Sequence, residues 1–552
     1  MANPDRRFLH RVLLCCLLLL YWTISLHNLT IVPRVYEDEP WQASTGWKLA
    51  TDGLFGSDLF AGFYGMDQRY YGYLPLHPFV LAVLFRFTGV GLFQARFATV
   101  ALGLLTLALT YRLAQRLFKD ARVGVLAVLF LISVRLTGLT PSQLTGILFL
   151  DMARISRYDM LVPVFGLAAL HVYLTARERG RARWYVLTGM LAGLAGLSHL
   201  YGVFYLPVLL ALITWNKSDQ SRTHIIDVES GSSETTQRPP RLGGETPRAL
   251  AIAAALLGFS LTWLPYLVYV LGDIYDWQGQ TRGYGDRFDL LNPGWYLQNL
   301  LREPHRYGPG LGPIGPGWLL RIGLWSTLIV LPLSLIALAR RAWRQRDRSA
   351  QAVVVPAVLL PTLFAFLIRL KLVNYTLAFA PFFALAAGWG SIMLWAGRSR
   401  GLRLGLVVIL LAVVTEGVFR VAALESAAAT TTPYYAFIDR VRREIPNGAR
   451  VLGLHNYWFG LEDFDYRSFA APLWWSEAHN EPRPLSLDEG LDQIAPDIVL
   501  IDSRLREYFA GDTQNGGANE ALFDRWLARH RAERVDRIED PTYGVIEIFR
   551  VE

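Results

Sequence analysis

Apolar stretches of membrane-spanning length recur along the whole chain, and nothing else in the sequence restricts the fold so strongly. The first runs from Phe8 to Leu26, "FLHRVLLCCLLLLYWTISL", directly after Arg6 and Arg7. Others lie near residues 91–116, 121–139, 159–176, 184–199, 200–216, 248–271, 317–339, 352–369, 373–396 and 402–420. A bilayer core takes roughly 20 apolar residues in a helix, so about eleven crossings are predicted. Composition agrees: 53% of the 552 residues are hydrophobic and only 18% charged, too apolar for a soluble chain of this length. The first stretch is read as a retained span, because no small-residue cleavage site follows it. Cys15 and Cys16 are adjacent inside it and read as apolar filler, neither a staple between distant parts nor a metal site.

Loop charge orients the chain. Cytoplasmic loops carry excess Lys and Arg, and alternating the ends of the segments puts "RLAQRLFKDAR", "ARERGRARW", the loop before 248, "ARRAWRQRDR" and "GRSRGLR" on one side. The net charge of +8 is then mostly an orientation signal and not a nucleic-acid footprint. With a cytoplasmic N-terminus, residues 27–75, 140–158, 272–316, 370–372 and everything after 421 face outward. Two units are expected: a transmembrane unit over 1–421 and a small extracytoplasmic α/β domain over 422–552. Within the second, "PYYAFIDRVRREI" and "NEALFDRWLARHRAE" have helical spacing, while "ARVLGLH", "DIVLID" and "YGVIEIFRV" read as strands. Residues 217–247, rich in Ser, Thr, Pro and Gly, read as a disordered cytoplasmic loop. The 27–75 segment is too polar to span and too aromatic for a linker, which predicts interfacial helices.

The polar residues worth weighing lie near the outer face. Glu37, Asp38 and Glu39 follow the first span; a solvated charge run is the ordinary reading, but a partly desolvated carboxylate makes a useful base. Arg154, Arg157 and Asp159 meet at the mouth of another span, where a local ion pair is the plain account. Arg96 sits inside a span, where charge is costly and a functional or paired role is the default. Arg369 and Lys371 crowd the short turn at 370–372; snorkelling explains them, yet two cations there break the usual charge asymmetry, and a bound anion would account for it. His77 and His199 read as structural. The scattered histidines and acids have no metal spacing, no cofactor is assigned, and a divalent cation is left open. No phosphate loop or nucleophile elbow is present.

In order, "YEDEPWQASTGWKLATDG", "PLHPFVLAVLFRFTGVGLFQARFATVALGLLTLALTYRLAQRLF", "ARISRYDMLVPVFGLAALHVYL" and "KLVNYTLAFAPFFALAAGWG" resemble the blocks of bacterial family 39 glycosyltransferases. That family belongs to the C-type superfamily dependent on polyprenyl phosphate, with the protein O-mannosyltransferases and lipid A aminoarabinose transferases. The resemblance covers roughly residues 5–420. It implies a multi-pass α-helical membrane protein of the inner (plasma) membrane with the C-type glycosyltransferase fold. The implied reaction moves a monosaccharide, with inversion, from a polyprenyl-phosphate donor to a hydroxyl of an extracytoplasmic protein, lipid or glycan. By the same resemblance Asp38 is the base, Glu39 its companion and Asp159 a second acid. His77, Arg96, Arg157, Arg369, Lys371 and Tyr375 are expected near the donor phosphate, with Asn374 standing where relatives carry His. A transporter or lipid flippase is the alternative, predicting paired broken helices and charge at the bilayer midplane. A membrane-anchored sensor is a third, for which so many spans would be an extravagant anchor.

Overall fold

The computed structural model describes residues 4–135, 145–215, 246–311, 322–477, 484–511 and 518–552. Most of the loop read as disordered, and the C-terminal end of the 121–139 segment, lie outside the described residues. Each apolar segment carries a helix over most of its length, as expected where lipid offers the backbone no partner. Phe8–Leu26, Leu92–Phe118, Tyr158–Arg179, Arg248–Leu271, Arg348–Leu367 and an apolar stretch within Arg400–Arg443 are long and apolar enough to cross a membrane. Ala121–Ser133, Leu200–Thr214 and Ala380–Ala396 are apolar but shorter. So is Leu76–Thr88, which the count of spans passed over; at 13 residues it falls short of the roughly 20 a crossing needs.

The segment after the first span is helical over Asp38–Asp52 and Asp58–Phe60. The Asp38–Asp52 helix buries Glu39, Gln42, Ser44, Thr45 and Lys48, a polar set that only specific partners can satisfy. It packs on Leu76–Thr88 through Gly46, where a Cβ would lie 2.9 Å from Leu81 Cβ and 3.0 Å from the Pro78 carbonyl.

Past residue 433 the chain forms the helix Tyr434–Arg443 and a five-stranded sheet. Its strands are β1 (Arg450–Gly453), β2 (Asp465–Ser468), β3 (Ile498–Asp502), β4 (Glu533–Asp540) and β5 (Gly544–Arg550), in the order β2-β1-β3-β5-β4. The first three strands run parallel, with Val451 opposite Ile498; β5 pairs antiparallel with β3 and β4. One apolar core joins this sheet to the segment after the first span: Val35, Ala43, Phe60 and Phe63 share it with Phe437, Trp458, Trp475 and Val499. The larger core, among the membrane helices, is separate.

Candidate active site

Between the first span and the Asp38–Asp52 helix the backbone is irregular, so its carbonyls need partners from elsewhere. Two buried arginines supply them. Arg154 donates to the carbonyls of Ile24 and Ser25, in the last turn of the first span, and to that of Val32 at 2.7, 2.9 and 2.8 Å. Arg96 donates to those of Leu29, Pro33 and Arg34 at 2.6, 2.9 and 3.2 Å, and through Nε and Nη2 to the two carboxylate oxygens of Glu39, both at 2.8 Å. These contacts use all five N–H groups a guanidinium owns. Glu39 also accepts from the backbone N–H of Tyr36 and of Ser156, each at 2.8 Å. Both side chains of the pair are fully buried.

Asp38 opens its helix, where the aligned N–H dipoles favour a carboxylate. Its side chain is 17% exposed and lies 2.7 Å from Arg157 Nη1, while Oδ1 accepts from the Tyr73 hydroxyl at 2.6 Å. Burial first, and the Asp38 charge second, push Tyr73 well above the ordinary phenol range, keeping it a donor. Arg157 also reaches Asp159 Oδ2 through Nε at 2.8 Å and the Tyr158 hydroxyl through Nη2 at 3.1 Å. Its guanidinium lies 5.1 Å from the centres of the Tyr36 and Tyr158 rings. Asn374 Nδ2 donates to Asp159 Oδ1 at 3.2 Å. Residues 38, 157–159 and 374 therefore converge, with one cation bridging two carboxylates. Glu37 stands apart from that bridge; burial and the neighbouring Asp38 raise its carboxyl, opposed by Arg504.

Tyr73 and Tyr158 form part of the wall of a cavity of about 830 Å³. The same wall holds His199, Tyr201 and Tyr375 from the membrane helices, Trp263 and Tyr266 from Arg248–Leu271, and Arg282, Tyr284 and Arg287 from the loop after it. His199 is packed between the rings of Tyr158 and Tyr201, at 4.6 and 4.2 Å. The Arg287 guanidinium sits 4.5 Å from the centre of the Tyr284 ring, whose hydroxyl donates to the Gly72 carbonyl at 2.9 Å. Leu267, 48% exposed on its helix, takes the rim of the cavity to the outside of a membrane span.

Of the residues expected around a phosphate, Tyr375 lines the cavity and Arg157 lies behind its wall. The others stand elsewhere. Arg96 is wholly committed to Glu39 and backbone. His77 is buried with Nδ1 2.6 Å from Gln42 Oε1. Lys371 lies 2.9 Å from both Glu303 and the Ala365 carbonyl, its amine pushed down by burial and held up by Glu303. Arg369 is exposed in its turn. The cations that do line the cavity, Arg282 and Arg287, were not among the sequence candidates. Among the described residues no group of three or more His, Cys, Asp or Glu side chains is arranged to hold a metal ion.

Residues 74–226 match the family model described as dolichyl-phosphate-mannose-protein mannosyltransferase. ArnT from Cupriavidus metallidurans, solved bound to undecaprenyl phosphate, superposes with a TM-score of 0.58 at 16% identity over 98% of this chain and 97% of that one. Its apo form gives 0.55 at 17% identity, covering 99% and 98%. The archaeal oligosaccharyltransferase AglB from Archaeoglobus fulgidus, with an inhibitory peptide and a dolichol-phosphate, gives 0.53 at 13% identity over 99% of this chain and 74% of that one. No curated protein sequence matches. The resemblance read from the sequence blocks is borne out: the chain is an integral membrane protein with the C-type, family 39-like glycosyltransferase fold.

Proposed function

We propose that the chain transfers a monosaccharide from a polyprenyl-phosphate donor to a hydroxyl of an extracytoplasmic acceptor, with Asp38 as general base. The observation that carries this reading is the Asp38–Arg157–Asp159 bridge set against the wall of a large cavity that also presents Arg282 and Arg287 and opens beside a membrane span. A lipid-linked donor needs such a combination: an apolar side for the chain, cations for the phosphate, and a carboxylate on the acceptor side.

The step balances without a redox partner. The acceptor hydroxyl displaces Tyr73 from Asp38 Oδ1 and gives up its proton there. Its oxygen lone pair forms the new bond to the anomeric carbon as the bond from that carbon to the phosphate oxygen breaks, leaving polyprenyl phosphate with the electron pair. Attack opposite the leaving group inverts the anomeric centre. Proton removal of this kind contributes about 10² to 10⁴-fold, and cations on the departing phosphate stabilise the charge that develops. Arg157, already neutralised by two carboxylates, orients Asp38 and Asp159; we assign the phosphate to Arg287 and Arg282, with Tyr375 beside them. Glu39 and Arg96 hold the segment that carries Asp38.

Purified protein in detergent is to be incubated with a panel of polyprenyl-phosphate monosaccharides and hydroxyl acceptors of peptide, glycan and glycolipid type. One donor is expected to release polyprenyl phosphate as an acceptor gains the sugar. No reaction across the panel, together with solute movement in reconstituted vesicles, would replace the enzyme with a transporter. Arg287→Ala should raise the KM for the active donor about tenfold or more, since a charge-assisted hydrogen bond is worth about 1.5–3 kcal/mol. An unchanged KM would take the phosphate away from this residue.

A further inference from the structure

The carbonyls of residues 32–36, which lead up to Asp38, each have a hydrogen-bond partner. Val32 is held by Arg154, Pro33 and Arg34 by Arg96, and Tyr36 by the backbone N–H of Glu39 at 3.0 Å. The remaining carbonyl, Val35, accepts from Asn456 Nδ2 at 3.1 Å. Asn456 is 8% exposed and lies 421 residues away in the chain, in the turn that follows β1.

That turn is stiff. The Tyr434 hydroxyl lies 2.9 Å from the carbonyls of both Asn456 and Phe459, and the Tyr457 hydroxyl donates to buried Asp502, the last residue of β3, at 2.6 Å. On either side of Asn456 the two parts of the protein interlock. Trp41, three residues past Asp38, packs edge-on against His455 and Trp474, each at 5.3 Å, and Tyr435 accepts from the Leu92 N–H at 2.9 Å.

We propose that Asn456 is a positioning residue for the transfer step: by fixing the Val35 carbonyl, the carboxyl-terminal sheet unit completes the tether of residues 32–36 and sets where the Asp38 carboxylate stands. The proposal rests on Asp38 being the base. It gives the sheet unit a part in the chemistry of the membrane unit without contact with the donor.

The test uses the full-length protein in detergent. Asn456→Asp keeps the size but removes the donor; Asn456→Ala removes both. Asp492→Ala is the control, since Asp492 ties Trp526, Arg529 and His530 together within the sheet unit and away from residues 32–36. In both Asn456 variants hydrogen exchange of peptides covering 33–41 should accelerate about tenfold or more, a local opening. With the active donor, kcat should fall about tenfold or more at unchanged donor KM, because a misplacement near 1 Å costs up to about 10²-fold. Asp492→Ala should match the parent in both readouts. Parental exchange at 33–41, parental kcat, or an equal fall in the control overturns the positioning role. If Asp38→Asn retains parental turnover while exchange responds as expected, the base reading fails and the positioning proposal falls with it, although the tether itself stands.

Discussion

Asp38→Asn should lower the rate of polyprenyl-phosphate release by about 10³-fold while leaving undecaprenyl phosphate binding within about threefold of the parent, since general-base removal is worth roughly 10² to 10⁴. The amide keeps the size of the side chain and an oxygen for the Tyr73 hydroxyl. It loses the charge facing Arg157 Nη1 at 2.7 Å, and it cannot take up the acceptor's proton. Arg157 keeps Asp159 as a partner at 2.8 Å, so the guanidinium is not stranded and the fold should survive. Two comparisons sharpen the result. Glu37→Gln should be close to the parent, because Glu37 takes no part in the Arg157 bridge. Asp159→Asn should lose only about tenfold: this carboxylate orients Arg157 and accepts from Asn374 at 3.2 Å, roles of the size of one hydrogen bond to a charged group. Parental turnover in Asp38→Asn with a deep loss in Asp159→Asn would exchange the two assignments.

Apolar length carried the membrane part of the fold in the sequence, because a run of aliphatic residues in lipid has no alternative to a helix. In the sheet, β1, β3 and β5 were legible for a similar reason: they are rich in Val, Leu and Ile, with β1 and β3 mostly buried and β5 burying Ile546 and Ile548. β2, "DYRS", and β4, "ERVDRIED", were not; both are edge strands, with little apolar signal to betray them. At the site, the meeting of Asp38 with Asp159 was legible only through the family resemblance, since no periodicity relates positions 121 residues apart (159 − 38). Arg96 was legible halfway. Its depth in a span implied a partner or a function; that the partner was Glu39, 57 residues away, required the fold. Arg282 and Arg287 could have been found by the reasoning applied to Arg369 and Lys371. They too are cations in a loop expected to face outward, against the usual asymmetry, but the length of the 272–316 loop hid them.

The second large effect separates the structural reading of Arg96 from the place near the donor phosphate that was expected of it. Removing one member of a buried ion pair leaves an uncompensated charge and costs about 3–5 kcal/mol, so Glu39→Gln and Arg96→Met should each lower the Tm in detergent sharply. In many proteins the paired replacement by apolar residues restores that stability. Here Glu39→Leu combined with Arg96→Met should restore only part of it. Arg96 also satisfies the carbonyls of Leu29, Pro33 and Arg34, and Glu39 the N–H groups of Tyr36 and Ser156; each buried group left unpaired costs about 1–3 kcal/mol. The double variant should therefore remain less stable than the parent and transfer poorly, because the tether leading to Asp38 is loosened. Arg96→Lys is the most telling single change. An ammonium has three donors where the guanidinium has five, so the Tm should fall while the folded fraction binds undecaprenyl phosphate within about threefold of the parent, well short of the 1.5–3 kcal/mol expected for a lost charge-assisted contact. A parental Tm with weakened undecaprenyl phosphate binding would return Arg96 to the phosphate.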